Sequence, residues 1–89
     1  MGWYVYMLRC RDGSLYTGCT TDLTRRVAAH NAGTGAKYTR ARRPVALVYA
    51  QPCQDHAAAL RREAAIKKLP KGQKERLVLE FSPKEGELP

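Results

Sequence analysis

Near the start of the chain, Trp3 to Leu8 are all bulky and apolar or aromatic. The run is too short for a helix and lacks polar alternation, so it predicts a strand buried on both faces at the centre of a sheet. Asp12-Gly13 is a turn signal, and Leu15-Tyr16-Thr17-Gly18-Cys19 predicts the returning strand of a hairpin. Two registers are open. A two-residue turn pairs Arg11 with Ser14 and sends Tyr6 and Tyr16 to opposite faces, whereas a three-residue loop with a left-handed Gly13 brings them to one face. Pattern alone slightly favours the first.

Thr20-Thr21-Asp22 offers capping oxygens, and Leu23, Val27, Ala28 and Ala29 carry a helix to about Ala32, where Gly33 stops it. Gly33 to Pro44 reads as a loop by its glycines and proline. Val45 to Tyr49 is a third strand by β-branched and aromatic content. Asp55 caps a second helix, His56 to about Leu69. Pro70 ends it and opens a third, Lys71 to about Phe81. The elements follow the order β-β-α-β-α-α, residues 1–81 form one domain, and residues 82–89 are a polar, frayed tail.

Composition narrows the function. The chain has 89 residues, enough for one core, and its 44% hydrophobic and 27% charged content is that of a globular domain rather than a disordered or membrane-spanning one. A nucleotide-sized cofactor is not expected on so small a scaffold. Sixteen Lys and Arg against eight Asp and Glu give a net charge of +8, which makes a polyanion the first partner to consider. Cys10, Cys19 and Cys53 contain no C-x-x-C pair, so neither a disulfide framework nor a tetrahedral zinc site is written here, and a reducing cytoplasm fits. The N-terminal apolar run is too short, and lacks the leading positive region, for a signal peptide. Tyr6 stands where a myristoylation motif needs Ser or Thr.

Several side chains stand out against this background. On the first helix, Arg26 and His30 border the apolar stripe one turn apart, placed to face an anion over the sheet. The plainer alternative is a snorkelling arginine and a partly buried histidine with a backbone partner. On the second helix, Glu63 falls between two apolar groups, where a carboxylate needs a partner. That partner is either an arginine such as Arg26 or a hard divalent cation completed by water and phosphate. Tyr4, Tyr6 and Tyr16 lie in paired strands, where tyrosine is usually core, yet a phenol beside cations loses its proton more readily than a free one. Gly18 suggests a bulge or the close approach of a ligand. Lys37, Tyr38, Arg40, Arg42 and Arg43 share one loop, a composition suited to phosphate contacts with a stacking platform, and Lys67, Lys68, Lys71 and Lys74 form a second basic band.

Tyr4-Val5-Tyr6, Tyr16-Thr17-Gly18, Asp22-Leu23-Thr24-Arg25-Arg26-Val27-Ala28-Ala29-His30 and Ala59-Leu60-Arg61-Arg62-Glu63 occur in this order over about residues 3 to 80. Together they resemble the GIY-YIG endonuclease superfamily, and most of all its short, stand-alone bacterial branch. Tyr4 stands where the first tripeptide begins with glycine, Thr17 where the second carries isoleucine, and no asparagine follows Glu63 as it does in many relatives.

The resemblance implies an α+β fold with a three-stranded antiparallel sheet flanked by helices. It also implies divalent-metal-dependent hydrolysis of DNA phosphodiesters, with single-stranded, branched or damaged DNA as substrate and RNA not excluded. Tyr6 and Tyr16 match the two tyrosines placed around the attacking water, which favours the three-residue hairpin loop. Arg26 matches the arginine that stabilises transition-state charge, and His30 the position of a proton carrier or phosphate contact. Glu63 matches the ligand of Mg²⁺ or Mn²⁺. Substrate choice then rests on the basic loop, a self-partner or another protein. A nucleic-acid-binding module that keeps the fold without catalysis is the alternative.

Overall fold

A computed structural model describes residues 2–81, so the expected C-terminal tail lies outside the described residues. Three strands form the sheet: β1 (Trp3–Arg9), β2 (Leu15–Thr20) and β3 (Ala46–Cys53). Their spatial order is β2-β1-β3 with both pairings antiparallel, so the most apolar strand is central. Four helices complete the described residues: α1 (Leu23–Ala32), α2 (Lys37–Arg40), α3 (His56–Lys67) and α4 (Lys71–Glu80). The α+β fold and the order of the expected elements are as the sequence implies, with α2 added.

The hairpin register settles which side chains share a face. Tyr6 lies opposite Gly18, Leu8 opposite Tyr16 and Arg9 opposite Leu15. The loop therefore has three residues, closed by Cys10 N–H to Ser14 O and Gly13 N–H to Cys10 O, both 2.9 Å. Gly13 has φ +85°, a conformation glycine adopts without the penalty a Cβ brings. The two-residue turn favoured by pattern is thus corrected: the twist of the strands is met by a left-handed third residue. Tyr6 and Tyr16 consequently project from the same face.

Val5, Tyr6, Met7 and Leu8 are all buried, and alternation sends them to two cores. Val5 and Met7 pack with Tyr49, Ala59 and Ile66. Tyr6 and Leu8 pack with Cys10, Leu23 and Val45. The third strand runs four residues beyond the expected Tyr49, because Gln51, Pro52 and Cys53 continue the ladder opposite Val5, Tyr4 and Trp3. Pro52 is tolerated since β3 is an edge strand and needs no donor on its outer side. The register shifts between Met7 and Leu8, with Val48 as the additional residue, and Val48 and Tyr49 join the same core.

Helix boundaries follow their caps. Asp22 accepts from Arg25 N–H at α1, Asp55 accepts from Ala58 N–H at α3, and Gly33 ends α1 with φ +86°. Helix α3 stops at Lys67, short of the expected Leu69, since Pro70 disfavours helical geometry in the residue before it. The basic segment expected to be all loop contains the single turn α2. Thr39 explains it: its hydroxyl donates to Ala36 O at 3.0 Å, and the side chain is fully buried.

Candidate active site

The face shared by Tyr6 and Tyr16 is roofed by the end of α1. His30 is fully buried there, with Nε2 3.0 Å from Tyr6 Oη and Nδ1 2.8 Å from Thr39 Oγ1. Its ring centroid lies 5.1 Å from that of Tyr16, and Tyr6 and Tyr16 are 6.4 Å apart. The glycines make this packing possible. A Cβ on Gly18 would stand 2.7 Å from Tyr6 Oη and 3.2 Å from Tyr16 Cε2, and one on Gly35 would overlap the His30 ring. Gly18 sits in a regular ladder, so its role is close approach by two tyrosine side chains rather than the expected bulge.

Burial governs the proton affinities. It holds the Tyr6 phenol well above its ordinary range, assisted by Tyr16, while Arg26 pulls in the opposite direction. The expected local acidification is therefore corrected for Tyr6: its burial outweighs the nearby cation. Burial, and then Arg26, keep His30 below its usual value and hence neutral. Tyr6 and His30 form a neutral pair able to pass one proton between them. The Tyr16 hydroxyl makes no hydrogen bond among the described residues and is available to a ligand.

Arg26 and Glu63 reach this cluster from different layers. Arg26 is exposed on α1, lines an open cleft of about 290 Å³ with Thr20, Asp22 and Arg25, and acts electrostatically on Tyr6, Cys19 and His30. Glu63, on α3 beneath the other face, acts on Tyr6 and Cys19. The site thus wraps the outer edge of β2. Arg26 is not the partner of Glu63; Lys67 Nζ is, at 2.7 Å, one turn along the same helix. Their separation across the sheet explains why Lys67 takes that place.

A family profile described as the GIY-YIG catalytic domain matches residues 2–76. The chain belongs to the GIY-YIG family. The UPF0213 protein of Desulfotalea psychrophila is 52% identical over 77 residues, spanning 85% of this chain and 70% of that one. The UPF0213 protein of Natronomonas pharaonis is 56% identical over 75 residues, spanning 84% and 88%. The solution NMR structure of the UPF0213 protein from Bacillus halodurans has a TM-score of 0.59 and 48% identity, covering 93% of this chain and 89% of that one. A second NMR structure, from E. faecalis, has a TM-score of 0.61 and 41% identity, covering 96% and 95%.

A GIY-YIG metal site is compatible with Glu63. Among the described residues no three His, Cys, Asp or Glu side chains cluster as metal ligands. A single carboxylate suits a hard cation that keeps most of its water. Glu63 already holds a cation, the Lys67 ammonium, which marks a place where positive charge is accommodated. The neighbouring Cys19 thiol is pushed up to about 11, first by burial and then by Glu63, so it offers no thiolate to a soft metal.

The basic loop divides into two groups. Arg42 is held by Asp12 Oδ2 at 3.1 Å and Tyr38 O at 2.7 Å, with its guanidinium 3.9 Å from the Tyr38 ring centre. Arg43 donates to Arg40 O at 2.8 Å and to Asn31 O at 3.4 Å, beside the end of α1. Lys37 and Arg40 make no ion pair or hydrogen bond through their side chains among the described residues. Tyr38 stacks on Tyr16 with ring centres 6.0 Å apart, so its ring already carries Tyr16 and Arg42 as neighbours. Sequence reasoning missed Thr39 and Gly35, and read Lys67 as part of a basic band rather than as the partner of Glu63. For Thr39 the one signal was a small hydroxyl in a strongly basic segment.

Proposed function

We propose that this GIY-YIG protein is a divalent-metal-dependent endonuclease acting on DNA in single-stranded, branched or damaged form, in DNA processing or repair. The observation that carries the reading is the 3.0 Å contact between Tyr6 Oη and His30 Nε2, beside Tyr16 and within the electrostatic reach of Arg26 and Glu63. A neutral tyrosine–histidine pair is a proton relay: as water attacks phosphorus, its proton passes to Tyr6 Oη while the phenol proton moves to His30 Nε2. The histidine ends as an imidazolium and the phenol is restored.

Among the described residues Arg26 pairs with no carboxylate, and it can meet the charge that grows on the phosphate oxygens. Tyr16, whose hydroxyl has no hydrogen-bond partner among the described residues, orients the water or a phosphate oxygen. A divalent cation on Glu63 would supply positive charge to the phosphate and to the departing 3′ oxygen. Lys37 and Arg40 bind the flanking backbone.

The test is cleavage of end-labelled single-stranded, duplex, flap and junction DNA, with RNA counterparts, in Mg²⁺, Mn²⁺ or EDTA. Glu63→Gln should remove cleavage by a factor of about a hundred or more while leaving the melting temperature and binding nearly unchanged. Binding without cutting on every substrate and with both metals overturns the nuclease reading in favour of a non-catalytic module. Equal cutting by wild type and variant assigns the activity elsewhere.

A further inference from the structure

We infer that Thr39 is a positioning residue that selects the His30 tautomer, fixing the proton on Nδ1 and leaving Nε2 to accept from Tyr6. The catalytic consequence rests on the nuclease reading above, but the assignment itself rests on hydrogen-bond bookkeeping alone. Three buried groups form a line: Tyr6 Oη to His30 Nε2 at 3.0 Å, His30 Nδ1 to Thr39 Oγ1 at 2.8 Å, and Thr39 Oγ1 to Ala36 O at 3.0 Å. At its far end Ala36 O can only accept and also receives Arg40 N–H at 3.2 Å, so the direction is set at the near end, where the buried Tyr6 hydroxyl needs an acceptor. If Thr39 donates to Ala36 O, Nδ1–H donates to Thr39 Oγ1, and Tyr6 O–H donates to the lone pair on Nε2. Every polar hydrogen in the line is then used.

The opposite tautomer runs the line backwards. Nε2–H would donate to Tyr6 Oη and Thr39 would donate to Nδ1. The Tyr6 hydroxyl hydrogen then has no acceptor among the described residues, although the residue is only 2% exposed. One contact favours this reverse state: Ala36 N–H approaches Nδ1 at 3.4 Å. That is the long limit for such a bond, and the 2.8 Å Thr39 contact serves either tautomer, so the buried Tyr6 hydroxyl decides, because only the first state gives its hydrogen an acceptor.

The geometry gives Thr39 the task that a buried carboxylate performs beside a catalytic histidine elsewhere, which is to hold ring orientation and tautomer. A hydroxyl does this without adding negative charge beside a phosphate. It also places the positioning group on α2, between Tyr38 and Arg40, so the segment proposed to grip the nucleic acid is the one that sets the relay. Gly35 lets that segment approach, since any side chain there would overlap the ring.

The experiment uses the whole protein with labelled histidine, reading the imidazole nitrogen shifts of His30 by NMR beside Thr39→Val and Thr39→Ser. Wild type and Thr39→Ser should show a protonated Nδ1 and an unprotonated Nε2. Thr39→Val, nearly the same in shape, should shift to the reverse or mixed tautomers. In cleavage, Thr39→Val should lower kcat by about tenfold to a hundredfold with KM for DNA unchanged, and Thr39→Ser should restore it. An Nε2-protonated His30 in wild type overturns the inference, as does an unchanged tautomer in folded Thr39→Val. The wild-type spectrum decides even if Thr39→Val fails to fold. It also decides if the protein cuts nothing, so failure of the nuclease reading remains separate from failure of this one.

Discussion

On one face of the central strand, Val5 and Met7 meet Tyr49, Ala59 and Ile66. On the other, Tyr6 shares its enclosure with His30 and Thr39, both fully buried. The first set is held by volume, and any well-fitting apolar shape would serve. The second is held by direction, since each buried donor must find its acceptor and a shift of a fraction of an ångström breaks the line. One seven-residue strand therefore packs a purely apolar cluster on one side and, on the other, an apolar cluster joined to the hydrogen-bonded line proposed as a proton relay, with period two separating them.

The sharpest way to break this comparison is to damage each face separately. Ile66→Ala, at a fully buried position, should cost about 2–5 kcal/mol of stability in a denaturant titration, with cleavage per folded molecule unchanged. Gly18→Ala should strike cleavage as well. Gly18 does not need a left-handed backbone, so the added methyl acts by pushing against the Tyr6 and Tyr16 rings. Cleavage per folded molecule should fall about a hundredfold, on top of an overpacking cost of about 1–3 kcal/mol in stability. Parallel losses of both properties in both variants would mean that the two faces are not separate devices.

These faces were not equally legible in the sequence. The apolar run Trp3 to Leu8 announced a central strand, and Asp22, Gly33, Asp55 and Pro70 marked helix ends by local chemistry. The hairpin register was not decided by Asp12-Gly13, because two loop lengths accommodate that pair; the resemblance to the GIY-YIG family favoured the right one. Glu63 was visible as a carboxylate needing a partner, but Lys67 as that partner was not, since choosing it over Arg26 requires knowing which side of the sheet each helix covers. Thr39 was beyond reach of pattern. It lies nine residues from His30 in a segment whose charges read as a phosphate-binding loop, and its burial exists only once Gly35 lets the segment fold over the ring.

A second, smaller effect probes the basic loop. Lys37→Ala and Arg40→Ala should each weaken DNA binding and reduce the salt dependence of the affinity by about one unit of slope, read from titrations at several ionic strengths. Arg42→Ala and Arg43→Ala should leave that slope unchanged, because their guanidiniums are already spent on Asp12, Tyr38, Arg40 and Asn31. Equal slopes lost at all four positions would show that the internal contacts yield to phosphate.

The smallest effect is the most specific to the polar face. His30 titrates below its ordinary 6.5 in the folded protein, because burial and Arg26 resist the charged form. Well above pH 6.5 neither state is protonated there, so stability does not depend on this group. As pH falls from 6.5, the unfolded chain takes up a proton that the folded one refuses, and stability declines by at most about 1.4 kcal/mol per pH unit until the lowered folded value is passed. Asp12 and Glu75 are also held low by their partners, yet their losses begin only below their free values of 3.8 and 4.5. Between pH 6.5 and 4.5 the slope therefore belongs to His30 rather than to those two. Denaturant titrations across this window should show the decline in wild type and in Ile66→Ala alike, and its disappearance in His30→Gln. A slope that survives in His30→Gln would place the acid sensitivity outside the relay, and the polar face would then be no more pH-dependent than the apolar one.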